Sequence, residues 1–287
     1  MKLNKKTKLV FILIALFLIG LAVPSYSWTR KNVKEIETFY NSKLSPIIMI
    51  PGSSATENRF DGLVRKLNQD RRGTKHSLLK VKVWNNGRIT FEGKIRKNDN
   101  EPIIVIGFEN NKDGYSNIKK QSKMMNQAFE ALQNKYNFNN FKGLAHSNGG
   151  LIYTAFIENY LSDYDVKINS LMTIGTPYNF TETNIKNKSV MLADFIAAKE
   201  NIPSTLHVYS VAGTITYDSD ELVPDASVSA GKYIYQNQAK SYTEITVTGE
   251  DAQHSDLPTN DEVVELIKQH IEGQGVRKKQ KTNLEPQ

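Results

Sequence analysis

The sequence predicts an α/β protein with a mostly parallel central sheet and helices on both of its faces. Two observations carry that prediction. Short apolar or β-branched runs recur along the chain, and segments of helical periodicity stand between them. Strands and helices that take turns need crossover connections, and crossovers lay helices on both faces of a parallel sheet. A third observation, a tight glycine-containing turn between one strand and the next helix, points to where chemistry can occur.

Residues 46–50, Pro-Ile-Ile-Met-Ile, read as a buried strand. Residues 56–67 read as a helix with Phe60, Leu63, Val64 and Leu67 on one face and Thr56 as its N-cap. Residues 81–84 and 89–92 flank Asn85-Asn86-Gly87, a hairpin signal, so a small two-stranded excursion is expected there. Residues 102–108 form another buried strand, and a long helix over 116–136 follows with Ile118, Met124 or Met125, Phe129 and Leu132 toward the core. Further short strands fall at 141–145, 168–174, 206–211 and 244–247, with helices at 149–161, 189–199 and 261–272. The last of these is opened by a capping box of Thr259 and Glu262. Segment 179–202 is the natural place for a short cap. Its Phe180, Val190, Met191, Leu192, Phe195 and Ile196 form an apolar side that either shields a substrate's acyl chain or packs onto the body.

No Pro/Gly-rich linker divides residues 28–272, so one domain is expected there. Residues 1–27 carry Lys2, Lys5, Lys6 and Lys8, then an unbroken run of 15 apolar or glycine residues from Leu9 to Val23, then Pro24-Ser25-Tyr26-Ser27. That order is the pattern of a signal peptide or, if uncleaved, a membrane anchor. Lysines ahead of the apolar run favour a body on the far side of the membrane, so a secreted or surface-anchored protein is expected. Residues 273–287 read as a basic flexible tail. The formal charge of +7 comes entirely from the two ends and leaves residues 9–276 neutral. With no basic-aromatic stripe in the body, no nucleic-acid partner is expected, and the tail and N-terminal segment suggest association with anionic membrane or wall polymer instead. The absence of cysteine excludes disulfides, a cysteine nucleophile and thiolate metal sites.

At the end of strand 141–145 the chain reads Ala145-His146-Ser147-Asn148-Gly149-Gly150 and passes directly into an amphipathic helix. This is a nucleophile elbow with Ala in its first slot. The turn must hold Ser147 in a strained conformation, and small residues two before and two after it, Ala145 and Gly149, avoid a clash across the turn. The helix N-terminus then aims its amides at the reacting centre.

A serine needs a base, and the base must come late in the chain order Ser, acid, His. Of the five histidines, His254 lies in the loop after the last strand. His207 falls inside a strand, His270 sits at the edge of a helix stripe, and His146 is expected to point to the other side of the turn. The acid should follow strand 206–211, where Asp218-Ser219-Asp220-Glu221-Leu222-Val223-Pro224-Asp225 offers Asp220 first and Asp218 second. The same acidic cluster also reads as a solvated turn or a weak Ca²⁺ loop, although the missing central glycine excludes an EF-hand. An oxyanion hole needs two backbone N–H groups. Asn148 supplies one, and the turn Pro51-Gly52-Ser53-Ser54-Ala55-Thr56 supplies the other, with Ser53 preferred to Ser54.

Taken in order, the 46–52 segment, the Asn85-Asn86-Gly87 hairpin, Phe108-Glu109-Asn110-Asn111-Lys112-Asp113-Gly114, the elbow, Ile174-Gly175-Thr176-Pro177-Tyr178-Asn179 and the Asp220 and His254 loops resemble the cell-surface α/β hydrolases of Gram-positive bacteria. Their defining domain is one of unknown function. The resemblance covers residues 45–272 and implies an α/β-hydrolase fold with a Ser147, Asp220, His254 triad. This chain departs from related patterns at Pro51, where lipases often carry His, at Ala145, and at Glu221, where a glycine usually follows the acid. The expected activity is that of an exported serine hydrolase acting on a small-molecule or lipid-like acyl ester, with no cofactor and no metal. The competing expectation is a non-catalytic surface protein that keeps the fold as a binding module.

Overall fold

The computed structural model describes residues 4–69, 71, 73–215 and 218–272; the tail expected at 273–287 lies outside the described residues. The chain forms two units, Met1–Ser42 and Lys43–Gln287. The first is a single helix, α1 (Lys5–Tyr40), opened by Asn4, whose side chain accepts a hydrogen bond from the Lys6 N–H. It runs through Pro24 and past residue 27, and none of its side chains is buried. By length and composition this helix can cross a membrane, and a signal sequence has the same features.

The second unit is built on eight strands: β1 (Ile47–Ile50), β2 (Leu78–Val83), β3 (Ile89–Gly93), β4 (Ile103–Phe108), β5 (Asn140–His146), β6 (Lys167–Ile174), β7 (His207–Thr214) and β8 (Ser241–Thr248). Their spatial order is β3-β2-β4-β1-β5-β6-β7-β8, and among the described strands only the β2–β3 pair is antiparallel. The helices are α2 (Asp61–Gln69), α3 (Tyr115–Tyr136), α4 (Asn148–Asn159), α5 (Val190–Ala198), α6 (Asp225–Ser229), α7 (Lys232–Tyr235) and α8 (Asp261–His270).

The two-residue period of the central strands sorts their side chains between two apolar layers. Ile48 and Ile50 of β1, with Ile104 and Ile106 of β4, join Phe129 of α3, Phe156 of α4 and Leu192 of α5. Ile47 and Met49, with Ile103 and Val105, join Leu63 of α2 and Ile267 of α8. Helices therefore cover both faces, as the alternating pattern requires. The apolar side of segment 179–202 packs onto the body: Met191, Leu192 and Phe195 are buried in the first layer, and Phe180 and Ile196 lie against it. Val190 is the exception, at 73% exposed.

Two helix starts differ from the sequence reading. Asn260, not Thr259, caps α8; its side chain accepts from the N–H groups of Glu262 and Val263. An amide oxygen reaches two orphan donors there, while Thr259 closes a short 3₁₀ turn just before. Thr56 likewise accepts from Asn58 N–H in a turn, and α2 begins only at Asp61.

Candidate active site

Sheets of this topology place ligands beyond the carboxyl ends of their strands. Three strand ends supply the candidate residues. β5 ends at His146, and Ser147 follows with φ 56° and ψ −132°. That backbone is strained for a residue with a Cβ, at a cost of about 1–3 kcal/mol, and it persists only where neighbours over-determine it. They do so here. The Ser147 N–H donates to the Ile174 carbonyl at 2.8 Å, and the Ser147 carbonyl accepts from Thr176 Oγ1 at 3.0 Å and from the Gly150 N–H at 3.0 Å. A Cβ on Gly149 would lie 2.2 Å from the Ile50 carbonyl oxygen, and one on Gly150 would lie 2.1 Å from Thr176 Oγ1. Both glycines are therefore required by the packing of the turn.

The loop after β7 carries Asp220, which is 1% exposed. Its Oδ1 accepts from the N–H groups of Leu222 and Val223 at 3.1 and 2.7 Å, and its Oδ2 lies 2.6 Å from His254 Nδ1. The His254 N–H also donates to the Asp220 carbonyl at 3.0 Å. A carboxylate accepts, so the proton of this hydrogen bond sits on Nδ1. Asp218, the alternative acid, has an exposed side chain. Glu221 has φ 74°, the left-handed conformation for which a glycine is usual at this place, so the departure noted in the sequence is a backbone matter. The Asp220 oxygens are occupied by two N–H groups and an imidazole.

Ser147 and the acid–base pair meet around Gly175, whose N–H donates to the Val211 carbonyl at 2.8 Å. A Cβ built on Gly175 would lie 3.1 Å from both Asp220 Oδ2 and His254 Nδ1. Among the described residues no hydrogen bond joins Ser147 Oγ to His254; bonds of this kind often tighten only around bound substrate.

The turn after β1 approaches the serine closely, because a Cβ on Gly52 would lie 2.6 Å from Ser147 Cβ. The Ser54 N–H is already bonded to the Asn111 carbonyl at 2.7 Å, which removes it as an oxyanion donor. Among the described residues, the N–H groups of Ser53 and Asn148 make no hydrogen bond and remain available.

Sequence reasoning missed the roles of three residues. Asp113 Oδ1 accepts from the Asn148 side-chain amide at 2.6 Å, and Asn111 Nδ2 donates to the Ala55 carbonyl at 3.0 Å, so the 109–114 loop braces both candidate oxyanion donors. The density of Asn and Asp in that loop and its place among the resembling segments were the signals. The third is His146, which corrects the expectation that its ring turns away. Its Nε2 lies 2.8 Å from the His254 carbonyl oxygen, and the two rings are 4.7 Å apart. Burial, followed by the nearby His254 and Arg59, holds the His146 imidazole well below its ordinary pKa and therefore neutral. Of the others, His207 Nδ1 pairs with Ser241 Oγ at 2.8 Å, His76 Nε2 with Glu272 at 2.8 Å, and His270 stacks on Tyr209.

Comparison with known proteins gives a consistent picture. The model of a family described as "Alpha/beta hydrolase of unknown function (DUF915)" matches residues 34–274. The structure of a presumptive cell surface hydrolase from Lactobacillus plantarum WCFS1 is 50% identical, with a TM-score of 0.73, covering 79% of this chain and 91% of that one. The lin2722 gene product from Listeria innocua is 30% identical, with a TM-score of 0.74, covering 80% of this chain and 94% of that one. Among curated proteins none matches.

Proposed function

The chain belongs to that family of α/β hydrolases of unknown function, and from this premise we propose that it is an exported serine hydrolase cleaving acyl esters. The observation that carries the reading is the Asp220–His254 pair at 2.6 Å beside a serine held in a strained elbow. Ser147 Oγ attacks the acyl carbonyl while His254 Nε2 takes its proton, and Asp220 orients and stabilises the resulting imidazolium. The N–H groups of Ser53 and Asn148 receive the negative charge of the tetrahedral intermediate. His254 then returns the proton to the leaving alcohol, and water, activated by the same base, releases the acid and restores Ser147.

Export rests on α1, the lysines ahead of its apolar run and the name of the Lactobacillus relative. The proposed substrates, small or lipid-like acyl esters, rest on the acyl transfer that such a triad performs. The test is hydrolysis of short-chain p-nitrophenyl esters by the full chain in detergent. The wild type is expected to turn over, and Ser147→Ala to lose activity with its thermal midpoint nearly unchanged. Activity retained in Ser147→Ala would refute the assignment of the nucleophile.

A further inference from the structure

Two residues outside the triad hold the loop that carries His254. His146 Nε2 lies 2.8 Å from the His254 carbonyl, and Arg59 Nη2 lies 2.5 Å from the next carbonyl, that of Ser255. A carbonyl only accepts, so His146 is the Nε2–H tautomer. Its Nδ1 is buried and has no hydrogen-bond partner among the described residues. A buried nitrogen left in that state costs about 1–3 kcal/mol, which an aliphatic side chain filling the same space would avoid. The N–H donor is what the histidine offers in return. It places that donor on the residue bonded directly to Ser147, so one side chain joins the turn of the nucleophile to the backbone of the base.

We propose that His146 is a positioning residue that fixes His254 relative to Ser147 by clamping the His254 carbonyl, with Arg59 holding the carbonyl that follows. The role in turnover rests on the hydrolase reading given above; the clamp itself is a property of the fold and has its own readout. Because His146 stays neutral, it adds no positive charge beside His254 when that residue takes the proton.

The test compares His146→Leu, which removes the donor, with His146→Gln, which restores an N–H near the position of Nε2. Hydrogen exchange of residues 250–257 and ester hydrolysis are measured on the full chain. In His146→Leu, exchange is expected to rise about tenfold and kcat to fall about 10- to 100-fold, with KM within about threefold of wild type. His146→Gln is expected to recover both to within about threefold. Unchanged exchange in His146→Leu, raised exchange with unchanged kcat, or a Gln variant as impaired as the Leu variant would each overturn the proposal. If His146→Leu does not fold, Arg59→Met reads the same segment: faster exchange supports the clamp, and unchanged exchange overturns it. A wild type without esterase activity would defeat the hydrolase reading alone, because the exchange comparison still decides whether the clamp exists.

Discussion

Glu221 shows how a single residue can look like a catalytic anomaly and be a conformational one. Its φ of 74° is held by the turn in which Asp220 Oδ1 accepts from Leu222 and Val223, and the same turn aims Oδ2 at His254. Asp220→Asn should lower kcat about 10²- to 10⁴-fold with little change in KM, since it removes the acceptor that orients the imidazole. Asp218→Asn changes an exposed side chain and should stay within a few-fold of wild type. Steady-state kinetics of the two variants, compared side by side, check the assignment, and the reverse ranking would move the acid to Asp218. The places of Ser147, Asp220 and His254 beyond strand ends were legible in the sequence, because each follows a strand whose apolar run marks it. His146 and Asp113 were not. Their partners lie 108 and 35 residues away, and such contacts leave no periodic trace along the chain.

At the scale of elements, α4 both presents the candidate nucleophile and carries an oddity of its own. Nearly all of its residues are buried, including Glu158, whose Oε1 has no hydrogen-bond partner among the described residues. Burial pushes the Glu158 carboxyl up to about 9 from 4.5, so the folded protein keeps it protonated where the unfolded chain would not. A raised folded-state pKa gives stability that is fully present below the unfolded value and lost as pH rises through the folded one. Glu158→Gln removes that loss. Its melting midpoint should exceed that of wild type by several degrees at pH 8 and by much less at pH 5; equal gains at both pH values would contradict this account. The elbow glycines make the opposite prediction. Gly149→Ala drives a Cβ against the Ile50 carbonyl and should destabilise by about 1–3 kcal/mol or more, read from chemical denaturation. All eight strands and the longer helices of the body were legible as apolar periods. The short α6 and α7 were not, because four or five residues are too few to show a helical period.

For the whole molecule, the proposed function assigns one task to each unit, acyl transfer to Lys43–Gln287 and membrane contact to α1. Fractionation of producing cells should find the Lys43–Gln287 unit outside the cytoplasmic membrane, and N-terminal sequencing will show either a start after Ser27 or an intact α1. Full-length protein recovered in the cytosol would refute export. The fold was legible at this scale because alternating strands and helices admit few arrangements, and the sheet order then brings the three loop residues to one edge. Whether that edge performs acyl transfer is the central claim. Treatment of the full chain with a fluorophosphonate, followed by mass spectrometry of its peptides, tests it most directly. One adduct is expected, on Ser147, absent from Ser147→Ala and formed much more slowly in a variant lacking the His254 imidazole. A wild type that remains unlabelled, or an adduct on another residue, would contradict it.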